Sequence, residues 1–158
     1  MSLNAERQAL RHQLATCRTH RAALADALED LATRPFQVED LINLGKDDRR
    51  LLDQFAYRYT RLQDDMGARL FPAALRALGE DIAPMPVVDR LQRLEQLGWL
   101  ASAEEWMTLR RVRNEFTHDY PETAEERFER LTLAMQSATR LLEVLGHFER
   151  FAHPWSQG

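Results

Sequence analysis

Four residues within a short stretch combine side chains that can move protons and bind anions: Arg113, Asn114, His118 and Tyr120. Histidine titrates near neutral pH and can act as a general acid or base. Arginine keeps its charge and binds oxyanions through parallel N–H groups. Asn114 and His118 are four residues apart, so on a helix they are neighbours, and the amide can orient the ring. Arg113 is five residues before His118, and its long side chain can reach the same space.

The same residues also have a purely structural interpretation. Pro121 must interrupt the helix, which places His118 at its C-terminal end. There the helix dipole favours positively charged side chains, so histidine and arginine often have no other role. Short motifs are weak evidence, and spacing alone favours this structural interpretation.

The overall charge limits how the chain can contact nucleic acid. A net charge of −4 excludes a protein that coats nucleic acid through a whole basic face. A local cluster of three arginines, Arg110, Arg111 and Arg113, nevertheless lies a few residues before His118. Any contact with nucleic acid must therefore depend on this local cluster.

The elements that position these residues are predicted to be helices. The 158 residues suit one domain, 1–158, and apolar residues recur every three or four positions with few Gly or Pro. The pattern predicts an antiparallel all-α bundle of about five helices. Their expected ranges are a first helix ended at Arg34, then 47–78 with a kink or break at Pro72, 87–97, 102–118, and a last helix from Thr123.

Two details of these helices can be checked directly. Ser102 and Thr123 are each followed three residues later by Glu, which predicts a capping box at the start of each helix. The third predicted helix is expected to bury four apolar side chains, Val87, Val88, Leu91 and Leu94.

Other kinds of site find little support in the sequence. The histidines outside the motif lack metal-ligand spacing, Cys17 lies on an apolar seam, and there is no glycine-rich phosphate loop. We therefore expect no metal and no cofactor. Without a long apolar stretch or a signal sequence, the pattern predicts a cytoplasmic protein with no membrane contact.

The segment 113–120, Arg-Asn-Glu-Phe-Thr-His-Asp-Tyr, resembles the signature of HEPN domains, in which Arg and a polar residue precede a His by a few positions. In the toxin branch of that family a Tyr follows two residues after the His, as Tyr120 does here. The earlier stretch 57–67 is similar to the family's second helix. The resemblance covers roughly Asp47 to the C-terminus.

This resemblance implies a metal-independent endoribonuclease toxin that acts as a homodimer and is paired with a minimal nucleotidyltransferase antitoxin. In such toxins the motif helices of two subunits line an RNA-binding cleft. The implied catalytic residues are Arg113, Asn114 and His118. The implied RNA-binding residues are the arginines near the motif and on the second helix: Arg110, Arg111, Arg58 and Arg61.

The resemblance also implies how the toxin is silenced. In similar toxins the motif Tyr accepts adenylyl groups from the partner nucleotidyltransferase, and Tyr120 occupies that position. Two alternatives stay open. One is a catalytically inactive HEPN partner that binds nucleotide or substrate for a nucleotidyltransferase, and the other is a structural bundle with no site.

Overall fold

The chain forms helices joined by short connections in the computed structural model, which describes residues 3–118 and 123–157. The α-helices are α1, Leu3–Thr33; α2, Lys46–Asp65; α3, Phe71–Ala77; α4, Val87–Gln96; α5, Ala103–Phe116; and α6, Ala124–Ser156. A 3-10 turn, Val38–Leu41, connects α1 to α2, and a π-helical turn, Met66–Leu70, joins α2 to α3. The described residues contain no strand, which confirms the predicted all-α bundle.

Four helices form the bundle, and contacts between their side chains show that neighbours run antiparallel. For each pair of neighbouring helices, two contacts show that residue numbers rise along one helix while they fall along the other. These contacts are Arg7–Trp155 and Arg18–Glu149 for α1 and α6, Arg34–Asp48 and His20–Asp65 for α1 and α2, Phe55–Phe116 and Asp64–Arg113 for α2 and α5, and Glu105–Arg140 and His118–Arg130 for α5 and α6. The site helix α5 is therefore held between α2 and α6.

Aromatic side chains in the core fix both ends of α5. Near its start, the Trp106 ring centroid lies 4.6 Å from that of Phe71, which stacks on Phe148 at 5.2 Å. At its end, the Phe116 ring lies edge-on to Phe55 at 5.8 Å. Aromatic pairs at these distances add to the free energy gained by burying their surface. The motif residues between these anchors therefore project from a fixed backbone.

The predicted interruption near Pro72 takes the form of a π turn. A proline has no N–H, and its ring clashes with the carbonyl four residues earlier in an α-helix. Here the Phe71 N–H bonds to the carbonyl of Met66, five residues back, which widens the turn just before Pro72. The chain can therefore continue into α3 without a loop.

The predicted hydroxyl caps are present at the starts of α5 and α6, but neither described helix start has the return bond from the glutamate side chain that completes a capping box. The Ser102 hydroxyl accepts a hydrogen bond from the Glu105 N–H at 3.0 Å, and Thr123 does the same for Glu126 at 3.2 Å. The Glu105 carboxylate accepts two hydrogen bonds from the Arg140 guanidinium, at 2.8 and 3.0 Å. This pair joins α5 to α6.

The predicted burial of α4 is half wrong. Leu91 and Leu94 are buried, but Val87 and Val88 in the first turn are 53% and 49% exposed. Val87 shares a helix face with Leu91, yet that face borders an open groove at this point and no side chain covers it. None of the helices in the described part of the chain is long and apolar enough to cross a membrane.

Candidate functional site

The end of α5 determines where the motif residues lie. The helix ends at Phe116, and Thr117 leaves the helical conformation with φ −92° and ψ 1°. The last turn is closed by hydrogen bonds from the Thr117 N–H to the Arg113 carbonyl at 3.3 Å and from the His118 N–H to the Glu115 carbonyl at 3.2 Å. His118 thus lies just beyond the helix, as predicted, with its side chain exposed.

Arg113 is held in a fixed orientation by two neighbours. Its Nε and Nη2 donate to the two carboxylate oxygens of Asp64 on α2, at 2.9 and 2.7 Å. Its Nη1 donates to the Thr117 hydroxyl at 3.0 Å. The Arg113 side chain is 20% exposed, so part of the guanidinium still faces solvent. Asp64 therefore belongs to the site, although it is not part of the sequence motif.

Tyr59 on α2 is fully buried and close enough to Arg113 to be affected by its charge. Burial raises the pKa of the Tyr59 hydroxyl to about 12, and the nearby charge of Arg113 opposes that shift. The phenol therefore stays neutral at physiological pH and adds no negative charge beside Arg113.

His118 borders a groove of about 280 Å³ that sequence reasoning did not identify. Its floor is apolar and includes Phe116 and Leu131, while Arg127 and Arg130 from the first turns of α6 line it beside His118. The Arg130 Nη1 donates to the His118 carbonyl at 2.7 Å, which ties the end of α5 to α6. The signal in the sequence was two arginines three residues apart just after the Thr123 cap.

Asn114, Arg110 and Arg111 are exposed on α5. Asn114 is adjacent to Arg113, and its backbone carbonyl accepts a hydrogen bond from the Thr117 hydroxyl at 3.2 Å. Arg110, three residues before Arg113, lies on a neighbouring part of the same surface. Arg111 is two residues before Arg113 and therefore projects from the other side of the helix.

The two predicted arginines of α2 lie in different surroundings. Arg61 is exposed one turn before Asp64, where its charge can extend the surface around Arg113. Arg58 instead faces α1, and its Nη1 lies 3.0 Å from the Nδ1 of the buried His20. Burial lowers the pKa of His20, while the Asp65 carboxylate 3.3 Å away opposes that shift. Arg58 therefore belongs to a buried polar cluster between α1 and α2.

Two further predictions concern Cys17 and Tyr120. Cys17 is buried, and burial raises the pKa of its thiol to about 12, so it stays protonated and is a poor nucleophile. Tyr120, the predicted adenylylation site, lies outside the described residues. Within residues 3–118 and 123–157, no group of three or more His, Cys, Asp or Glu side chains could hold a metal ion.

Comparison with protein-family models, with curated proteins and with solved structures gave no match. The function has to be inferred from these residues and their geometry.

Proposed function

We propose that the chain is a metal-independent endoribonuclease toxin of the HEPN type, acting through His118 and Arg113. The observation that carries this proposal is the exposed His118 just beyond the end of α5, which lies five residues after Arg113 and lines a groove together with Arg127 and Arg130. An acid–base group in a groove with two arginines suits the cleavage of a polyanion.

The proposed reaction uses the nucleophile that RNA itself carries. The ribose 2′-oxygen attacks the adjacent phosphorus, the 2′-O–P bond forms and the bond to the 5′-oxygen breaks. The products are a 2′,3′-cyclic phosphate and a 5′-hydroxyl. His118 accepts the 2′-hydroxyl proton and then gives it to the leaving 5′-oxygen, so the ring ends the reaction in its starting protonation state. Arginine hydrogen bonds stabilise the charge on the phosphate oxygens in the transition state.

Arg113 keeps capacity for phosphate while it is bound to Asp64. A guanidinium has five N–H groups. Asp64 accepts from one N–H on Nε and one on Nη2, and Thr117 accepts from one on Nη1. Two N–H groups remain for a phosphate. Asp64 thus holds the Arg113 side chain in one orientation before RNA binds. Less conformational entropy is therefore lost on binding.

The direct test is cleavage of a short RNA by the purified chain in the presence of a chelator. We expect cutting that leaves a cyclic phosphate and a 5′-hydroxyl, and no cutting of the same sequence with 2′-O-methyl groups, because the nucleophile is blocked. Cleavage that requires an added metal, or equal cleavage of the methylated strand, would contradict the mechanism. RNA binding without any cutting would instead support the non-catalytic partner role.

The proposal includes a homodimer. A chain with a net charge of −4 offers one small cationic surface, and two copies facing each other would double it across a cleft. We expect sedimentation at tens of micromolar to show a dimer, since a stable interface of about 1,600 Å² should persist at such concentrations. A purely monomeric chain that still cuts RNA would remove this part of the proposal.

We also propose that a minimal nucleotidyltransferase antitoxin controls the activity, because segment 113–120 resembles the signature of HEPN toxins. Adenylyl groups on Tyr120 would add phosphate charge two residues after His118, where they would compete with RNA for the arginines. This part rests on the sequence motif alone.

A further inference from the structure

A second groove shares Asp64 with the Arg113 ion pair. This groove, here called the Gln63 groove, encloses about 420 Å³ between α2, the π turn, α4 and α5. Val87, Leu91 and Trp106 form apolar walls, and Arg110 lines the groove from α5. Asp64 lines it too and binds Arg113 with the same carboxylate. The groove is therefore adjacent to the proposed phosphate-binding residue.

Gln63 is the unusual residue of this groove. It is only 2% exposed, yet neither its Oε1 nor its Nε2 has a hydrogen-bond partner. A buried amide without partners lowers stability, and such groups are few in native proteins. A leucine at this position would avoid that loss. The amide therefore needs a reason other than stability.

The chemistry of the Gln63 amide indicates the class of ligand. A glutamine amide presents a donor and an acceptor side by side, which matches the edge of a nucleobase such as adenine. Because the amide has no hydrogen bond to give up, turning it toward a ligand in the groove loses none. Ligand sites of this kind have mostly apolar walls and a few polar groups that fix orientation.

The π turn contributes to the shape of the groove. Gly67 lies in that turn, and a Cβ at this position would be 3.2 Å from Cζ2 of Trp106. The absence of a side chain lets the indole lie close against the backbone. The Trp106 ring thus forms an apolar wall of the groove, and Arg110 can bind the phosphate of a nucleotide seated there.

We propose that the Gln63 groove holds one unpaired base of the RNA and so determines the base preference of the enzyme next to the cut. This inference rests on the proposed ribonuclease function. It adds that Gln63 recognises the base edge, and that the apolar walls take the base face. Single-stranded bases are commonly recognised in this way, by apolar or aromatic contact combined with hydrogen bonds to an edge.

The test compares the unchanged chain with Gln63→Leu on RNA that cannot be cut. Affinity is measured for a set of 2′-O-methyl oligonucleotides that differ at one base, so the readout does not depend on cleavage. We expect the unchanged chain to prefer one base by roughly 5- to 150-fold, the range for one two-bond base contact. Gln63→Leu should abolish that preference while raising the melting temperature. Gln54→Leu, an exposed glutamine on the same helix, is the matched control and should keep the preference.

The outcomes separate this inference from the proposed function. An unchanged base preference in Gln63→Leu would overturn the inference, even if the chain cuts RNA. A lost preference would support it, even if cleavage itself were not found. If Gln63→Leu instead converts a dimer to monomer with no change in base preference, the groove binds protein and the inference is wrong.

Discussion

Replacing His118 by alanine is expected to lower the rate of RNA cleavage by about 10²–10⁴-fold, the usual loss when a general acid–base group is removed. The side chain is exposed beyond the end of α5 and is not part of the core. At this helix end the His118 backbone N–H donates to the Glu115 carbonyl, and the His118 carbonyl accepts from Arg130, so both of these bonds are kept when the side chain is shortened. The substitution should therefore change chemistry and leave the fold intact.

Initial rates on one labelled RNA in chelator would measure this effect. Melting followed by circular dichroism should give the same transition temperature for both chains. His12→Ala, at an exposed position on α1, is the matched control and should cut at the parent rate. Equal rates for the parent and His118→Ala would remove His118 from the mechanism.

Replacing Arg113 by alanine is expected to cost about 10²–10³-fold in rate, the loss typical of removing one group that stabilises the transition-state charge. Asp64 would also be left as a negative charge beside the bound phosphate. Arg113→Lys should recover only part of the rate, because an ammonium keeps the charge but cannot make the two-bond pair with Asp64.

Stability should respond much less than activity to these Arg113 changes. The Asp64 side chain is 52% exposed, and ion pairs near the surface contribute little to folding. Arg76→Ala, at an exposed position on α3, controls for the loss of one positive charge. If it slowed cleavage as much as Arg113→Ala, the effect would be one of net charge, and the assigned role of Arg113 would fail.

The spacing of apolar residues predicted the bundle because each helix buries one stripe, and that stripe is visible in a single sequence. The start of α5 was predicted from the Ser102 cap, and its end near His118 was predicted from Pro121. Asp64 was missed because it is 49 residues from Arg113 in sequence, and only the packing of α5 on α2 brings their side chains together.

Gln63 and Val87 are two residues whose burial differs from what the helical pattern indicates. A glutamine in a helical pattern indicates an exposed face, and a valine on the apolar stripe indicates a buried one. The exposure of both residues is the reverse of this expectation, since Gln63 is 2% exposed and Val87 is 53% exposed. Both lie where α2, α4 and α5 leave a groove between them. Neither departure from the pattern can be read from one helix, because the groove belongs to the space between several.

The π turn before Pro72 has a consequence for recognising relatives of this chain. Such a turn amounts to one additional residue inserted into an α-helix. A relative with an uninterrupted second helix should align with a single-residue gap within 66–70, and it should carry a residue other than proline at the position of Pro72. Without the gap, the alignment would be one residue out of register after Gly67. One residue corresponds to about 100° around the helix, so the aligned residues would be placed on the wrong face.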